Sequence, residues 1–492
     1  MTWQNPRTAN PAQSIWHDLP EETFRQHLVE LEEHTNAIPT DMQIFSMKDW
    51  LASCEVASQD LYTLPLVVEQ QLADDFAFLS AVEEGAQSVA AACLEETQDP
   101  PNLTVRFAAL DLSLSEATKA ALHNISGVLA DVASKRLPNE TAQVEYVDKL
   151  YCHVTDLHCT RLLARLRSAK WQKPKYLDKS HKKPLWQDFA NLSHRVQFIY
   201  PGKKGAAARQ DLEPLLIDLA SVYESFETVP AGSREETSHM QRLVRKSFDF
   251  CSAEQVRLYA HHLQKSVNAR PTKQIGSAIK CLRQIEKIGA YWRISISLVN
   301  AATRYPTLFA DGVAMAYLSP YTAVPTSVGY EAWAKTCHVH AEVQLAVYYD
   351  LLPHSGLDTD SAKLDNAKLE PVIVRRPRAI GTSKYLCYLC YQFLKAHRRF
   401  FPSNTHGRLY DQWTIPDLME FDDHLTRRYR HVINAMDDQV MNQVAATTVP
   451  TAGDDSPLAR LRAEPMTSRQ NLLEMDVKTL YDVKQEDDGN SS

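Results

Sequence analysis

Glycine is scarce in this chain, at 14 residues of 492, against 25 prolines. Folds built from many short strands lean on glycine at their turns, so the shortage disfavours a sandwich or barrel and favours helices with short strands. Long apolar runs are missing as well, and none approaches the roughly 20 residues that span a bilayer. The opening stretch MTWQNPRTANPAQSIW has no basic segment followed by an apolar one. No secretory leader is therefore expected, and the expected location is intracellular, cytoplasmic or nuclear, with no membrane partner. Neither sign of charge dominates: 53 Lys and Arg stand against 61 Asp and Glu, a formal net charge of −8. Whole-chain attraction to nucleic acid is not expected from that balance, although a local basic patch could still act. Cysteine is sparse and odd in number, nine in all, which is not the density of a disulfide scaffold. Seven of them (Cys54, Cys93, Cys152, Cys159, Cys251, Cys281 and Cys337) are scattered, mostly among Leu, Ala and Val, and read as buried thiols.

What is present is enough to bury a core: 44% hydrophobic and 23% charged residues over a length that suggests roughly two to four domains. The expected fold class is α+β or α/β, a mostly helical N-terminal region followed by a smaller α/β domain. Residues 1–20 read as a loose lead-in. From about Glu21 to Leu166 the apolar spacing is helical, with Phe24, Leu28 and Leu31 at i, i+4, i+7, and with a Leu/Ala/Val-rich run from Leu72 to Leu94. Helices are expected again from Asp211 to Tyr223 and from Glu235 to Val299, broken at Pro271. This gives a helical region over 21–304. A basic linker at about 161–186 sets nine Lys and Arg against Asp178 alone. The pattern changes at 305–445. Val313–Leu318 reads as a strand, Ala341–Leu352 as a helix, Pro371–Arg376 as a strand, Gly381-Thr382-Ser383 as turn and cap chemistry, and Cys387–Arg399 as a second helix. Residues 446–492, rich in Asp, Pro, Ser and Thr, read as a disordered acidic tail.

The residues that carry chemistry open those two helices. His340-Ala341-Glu342 begins the first and Cys387-Tyr388-Leu389-Cys390 the second. One imidazole and two thiols are ligands that zinc prefers, and three of them leave a fourth tetrahedral position open. Cysteines in the first turn of a helix meet its free amides and positive dipole end, which lowers thiolate pKa. Glu342, two residues beyond His340, can reach over the open position and shuttle a proton for a zinc-bound water. This H-x-E … C-x-x-C order is that of the zinc deaminases of nucleobases. A closed structural zinc, with Cys337 or His338 as fourth ligand, is the competing metal reading. Helix caps and core thiols without metal are the bland one.

The stretches C-H-V-H-A-E-V-Q-L, R-A-I-G-T-S-K-Y-L-C-Y-L-C-Y and T-H-G-R-L-Y-D-Q-W resemble the fungal-expanded family of nucleic-acid deaminases in the cytidine-deaminase-like superfamily. The resemblance implies a three-layer α/β/α domain with zinc between two helix N-termini, held by His340, Cys387 and Cys390, and Glu342 as proton carrier. It covers about residues 305–440. Leu386 stands before the cysteine pair where the superfamily usually has proline, and an insertion at 353–369 lengthens the interval between the two motif halves.

Weaker candidates surround this centre. Ser383 and Lys384 precede the second helix and could bind a substrate's exocyclic group, with helix capping as the alternative for Ser383. His406 recurs in the family that the chain resembles and could lie beside the pocket; a turn histidine is the alternative. His397, seven residues past Cys390, is too far along the helix to be a ligand. Trp171, Lys173 and Lys175 in the basic linker have the composition of a nucleic-acid contact. Solvated helix ends carry such runs too. The expected function is a zinc-dependent hydrolytic deaminase of a nucleobase, free, in a nucleotide or in nucleic acid, with Zn2+ as cofactor. Its rival is an inactive deaminase-like domain with structural zinc, in a helical interaction or nucleic-acid-binding protein.

Overall fold

The computed structural model describes residues 11–40, 61–83, 89–110, 114–135, 140–172, 183–269, 272–352, 374–401 and 404–446. Cys54, Lys173, Lys175, the 353–369 insertion and the tail beyond 446 lie outside the described residues. In chain order the elements are α1 (Glu21–Thr35), α2 (Leu66–Ser80), β1 (Ala90–Gln98), β2 (Pro101–Ala109), α3 (Glu116–Lys135), α4 (Glu140–Leu157), α5 (Cys159–Leu166), α6 (Phe189–Ile199), α7 (Ala206–Thr228), α8 (Arg234–Ser252), α9 (Glu254–Ala269), α10 (Lys273–Arg304) and α11 (Pro306–Phe309). They continue with β3 (Val313–Tyr317), β4 (Val324–Pro325), β5 (Thr336–Val339), α12 (Ala341–Leu351), β6 (Val374–Arg375), β7 (Gly381–Thr382), α13 (Tyr388–His397), β8 (Trp413–Thr414) and α14 (Asp423–Ala446). Two units emerge. One takes the described residues up to His153 and those from Ser297 onward, and the other spans Val154–Ile296. Among the described residues no helix is long and apolar enough to cross a membrane.

The first unit is α+β, and its sheet corrects the helical reading of 21–166. Strands run in the order β3-β2-β1-β6, with β7 also on β1. The hairpin at its centre, Ala90 paired with Ala109 through Gln98 with Pro101, comes from inside the stretch that reads as helix. The Ala-rich sequence AAACLEETQ has helix propensity and no polar alternation. Burial on both faces overrides that preference. Alternate side chains show it. Ala91 and Cys93 join the core that holds Val343 and Leu389, and Glu95 accepts from Tyr349 of α12 at 2.7 Å. On the opposite face Glu96 accepts the N–H groups of Thr63 and Leu64, just ahead of α2, and Phe107 meets Phe76 of α2 edge-on at 6.5 Å. Because successive strand residues point to opposite faces, helix α2 covers one face of the hairpin and α12 the other. β2 and β3 pair in parallel. A second, smaller sheet joins β4, β5 and β8, with β5 and β8 parallel.

The lead-in is not loose where it is described: Ile15 and Trp16 are buried, and the Ser14 hydroxyl donates to Asp417 at 2.5 Å. The predicted α1 face is in place, with Phe24, Leu28 and Leu31 in the core. The stretch Leu72–Leu94 divides: α2 ends at Ser80 and β1 begins at Ala90.

The second unit is helical throughout its described residues, α5 to α9 with parts of α4 and α10. The run read as one helix from Glu235 is interrupted at Ala253, in extended backbone between α8 and α9. Its core is fixed by internal hydroxyl bonds, Tyr223 to Ser247 at 2.7 Å and Tyr259 to the Leu192 carbonyl at 2.8 Å. Of the scattered cysteines, Cys93, Cys251, Cys281 and Cys337 are buried as expected. Cys152 is exposed and Cys159 half-buried.

Gly381 is a strand residue in close approach to a helix, rather than the turn expected for it. A Cβ there would run into the backbone of Ala73 and Asp74 in α2, while the neighbouring Thr382 N–H donates to Asp74 at 2.8 Å. The substitution Gly381→Ala is expected to destabilise the chain by about 3 kcal/mol through this overpacking. A urea midpoint unchanged from wild type would contradict the contact.

Candidate metal centre

Two strand-to-helix junctions build the centre. β5 delivers His340, which is extended (φ −64°, ψ 154°) and sits at the N-cap of α12. Gln344, in the first turn, donates to the carbonyls of Ala109 and Val339 at 2.8 and 2.9 Å and so ties the start of α12 to the end of β2. Cys387 is the N-cap of α13, its sulfur accepting the Cys390 N–H at 3.3 Å. The cap of this helix is therefore a cysteine, not Ser383.

The segment 404–408 braces that second junction. Leu386 donates its N–H to Asn404 at 2.8 Å and accepts from His406 N–H at 3.1 Å. Tyr388 N–H bonds to the Arg408 carbonyl at 2.8 Å, and the Thr405 hydroxyl donates to the Leu386 carbonyl at 2.8 Å. Here lies the physical reason for Leu386 in place of proline: proline has no N–H to give Asn404.

The junctions bring three predicted ligands together. His340 Nδ1 lies 3.6 Å from Cys387 Sγ and 3.4 Å from Cys390 Sγ, and all three donor atoms lie within 4.8 Å of one another. Zinc bonded tetrahedrally to nitrogen at about 2.0 Å and sulfur at about 2.3 Å would hold such a pair about 3.6 Å apart. The donor set and its spacing therefore fit zinc. Among the described residues, this is the one group of three His, Cys, Asp or Glu close enough to hold a metal. Cys337 turns its sulfur to the Asp411 carbonyl at 3.9 Å, and His338 Nε2 lies 3.2 Å from the Thr336 hydroxyl. Neither belongs to the group.

Electrostatics set these residues apart. Burial pushes both thiols up. At Cys387 the hydrogen bond from Cys390 and the His340 imidazole outweigh burial, so this thiol is held well below its ordinary range. Cys390 is pushed up by burial and by its negative neighbour, and the Trp413 indole N–H pulls it part of the way back. Trp413 is fully buried, and its Nε1 has no conventional acceptor; sequence reasoning gave it no role, although it closes the quoted T-H-G-R-L-Y-D-Q-W. Glu342 is buried with Oε2 3.3 Å from Cys390 Sγ. Burial raises its pKa above the ordinary carboxylate value, with His340 opposing.

The weaker candidates separate. Ser383 is fully buried, its hydroxyl accepting the Ala90 N–H at 3.1 Å and its own N–H donating to the Ala90 carbonyl at 2.9 Å. Lys384 is half-buried. His406 is buried, its Nδ1 accepting the Arg408 N–H at 3.0 Å, and burial depresses its pKa to about 4. His397 lies away from the centre, paired with Asp350 at 2.9 Å. Trp171 is half-buried, its N–H on the Ser168 carbonyl at 3.1 Å.

The family model described as "OTT_1508_deam:-like deaminase" matches residues 339–417. That span contains His340, Glu342, both cysteines, His406 and Trp413, and it is deaminase-like on the strength of this match. No curated protein and no solved structure matches the chain significantly.

Two outcomes follow. Cys387→Ala and Cys390→Ala are each expected to lose bound zinc and to lower the melting temperature; metal content per chain and calorimetry check this, and unchanged values for both would remove them as ligands. His406 has a folded pKa near 4 against an ordinary 6.5, so its neutral form stabilises the fold above pH 6.5. That contribution, at most about 3 kcal/mol, is lost as pH falls from 6.5 through 4. Denaturation at stepped pH should show His406→Gln less sensitive over that window than wild type; equal slopes would contradict the assignment.

Proposed function

We propose that the protein is a zinc-dependent hydrolytic deaminase acting on a nucleobase. The observation that carries this reading is the His340, Cys387 and Cys390 donor set at zinc-ligand spacing, with a buried carboxylate against it, inside the segment that matches a deaminase family. Helices on both faces of the β1–β2 hairpin support the three-layer fold of the cytidine-deaminase-like superfamily. That neither Cys337 nor His338 enters the donor group supports a centre with an open position over a closed structural one.

When bound, zinc supplies Lewis acidity that makes a water deprotonable near neutral pH. Cys387 and Cys390 enter as thiolates, and the N-terminal amides of α13 favour that charge. Glu342 does the proton work. Its burial keeps water from competing for its oxygens, and its raised proton affinity suits a group that must accept a proton and release it in one cycle. In this reading it takes a proton from the attacking water and delivers protons to the ring nitrogen and to the departing ammonia. A ring C–NH2 and H2O thereby become C=O and NH3.

Glu342→Ala is expected to keep its zinc and to lose at least about 100-fold in turnover. Ammonia release from a panel of bases, nucleosides and oligonucleotides, with zinc content measured on the same samples, is the test. Full activity in the zinc-loaded variant would remove Glu342 from the mechanism, and no release by wild type from any substrate would favour the inactive reading.

A further inference from the structure

The two sulfurs of the metal centre are served unequally. Cys387 Sγ accepts the backbone N–H of Cys390 at 3.3 Å and has His340 Nδ1 3.6 Å away. Cys390 Sγ also lies beside His340, 3.4 Å from Nδ1, but its other neighbour is the Glu342 carboxylate, with Oε2 at 3.3 Å. As a thiol, Cys390 gives that oxygen its proton; as a thiolate, it faces a second acceptor. A ligand sulfur in this position needs a donor of its own.

Two elements converge on Trp413. Partnered residues of neighbouring strands share a face of the sheet, and β5 and β8 pair His338 with Trp413. His340, two residues further on and still extended, returns to that face. On the helix side, Phe393 follows Cys390 by three residues, which sets the two on one face of α13. The Phe393 ring packs on Trp413 with centroids 6.1 Å apart and planes at 60°. The indole is thus seated between the strand end that delivers His340 and the turn that delivers Cys390. Trp413 is 1% exposed, and a tryptophan so deep ordinarily gives its N–H to an acceptor. Here Nε1 has no partner of ordinary hydrogen-bond geometry. Burial, Cys387 and Glu342 all oppose a thiolate at Cys390, and the indole N–H favours it.

We propose that Trp413 is a positioning residue of the metal centre, its indole N–H serving the Cys390 sulfur when that sulfur is a thiolate ligand. Outer partners of this kind set both the orientation of a ligand and its strength as a donor. The inference rests on the metal reading above and is independent of the reaction proposed for the site.

The test uses the full-length protein. Trp413→Phe keeps a packed ring and removes the N–H; Phe393→Leu loosens the same packing and leaves the N–H in place. Zinc affinity is read by competition with a chromophoric chelator. Cobalt(II) loaded instead gives a thiolate-to-metal charge-transfer band, whose energy falls when the sulfur loses a hydrogen bond. Trp413→Phe is expected to bind zinc at least about tenfold more weakly and to move that band to longer wavelength. Phe393→Leu should lower the melting temperature with the band unmoved. Should Trp413→Phe not fold, benzothienylalanine at position 413 keeps the size of the ring, lacks the N–H and carries the same expectation. Wild-type affinity and an unmoved band without the N–H would overturn this proposal alone, as would an equal shift in both variants. Wild-type protein that takes up neither metal would overturn the metal reading, and this proposal with it.

Discussion

The centre depends on one electrostatic conflict: two thiols, an imidazole and a carboxylate share a space from which water is almost excluded. Burial opposes the charged form of every acid in the group, and such groups persist only when each has a partner for its charge. His340 lies within 3.6 Å of both sulfurs, and the Cys390 sulfur within 3.3 Å of Glu342. A divalent cation at the proposed site would resolve the conflict by neutralising the two sulfurs.

The surrounding fold is arranged to hold that conflict in place. At their beginnings α12 and α13 are fixed by Gln344 and by the 404–408 segment. At their far ends Asp350 of α12 accepts from His397 of α13 at 2.9 Å, from Arg399 at 2.7 Å and from Tyr429 of α14 at 3.0 Å. Burial alone would raise Asp350; His397 and Arg399 instead hold it far below the ordinary carboxylate range. Breaking one partner of such a buried network leaves an uncompensated charge, so the two helices that bring His340, Cys387 and Cys390 together are locked to each other and to α14. Beneath them, Glu95 is gripped by Arg106 at 2.7 Å and by Tyr349, which fixes α12 on the sheet.

The site was far more legible in the sequence than the sheet that supports it. His340, Glu342, Cys387 and Cys390 announce themselves by residue type and local spacing, and each lies at a helix start that capping and strand signals place to within a residue. The β1–β2 hairpin left no such trace. Alternation of polar and apolar residues fails when both faces are covered, and AAACL then looks like a helix. Its sheet partners β3, β6 and β7 lie some 200 or more positions away in the chain, a pairing that no local pattern encodes. Gly381 escapes a local reading for a related reason. Its role is a helix passing close by, visible in three dimensions alone. The proline expected before Cys387 is absent because Leu386 spends its N–H on Asn404, again a partner distant in sequence.

X-ray absorption at the zinc edge of the full-length protein tests the central claim most directly. One zinc per chain, four-coordinate, with two sulfur ligands at about 2.3 Å and two nitrogen or oxygen ligands, is the expected result. Absence of zinc, or a shell of three or more sulfurs, would contradict an open His340, Cys387 and Cys390 centre.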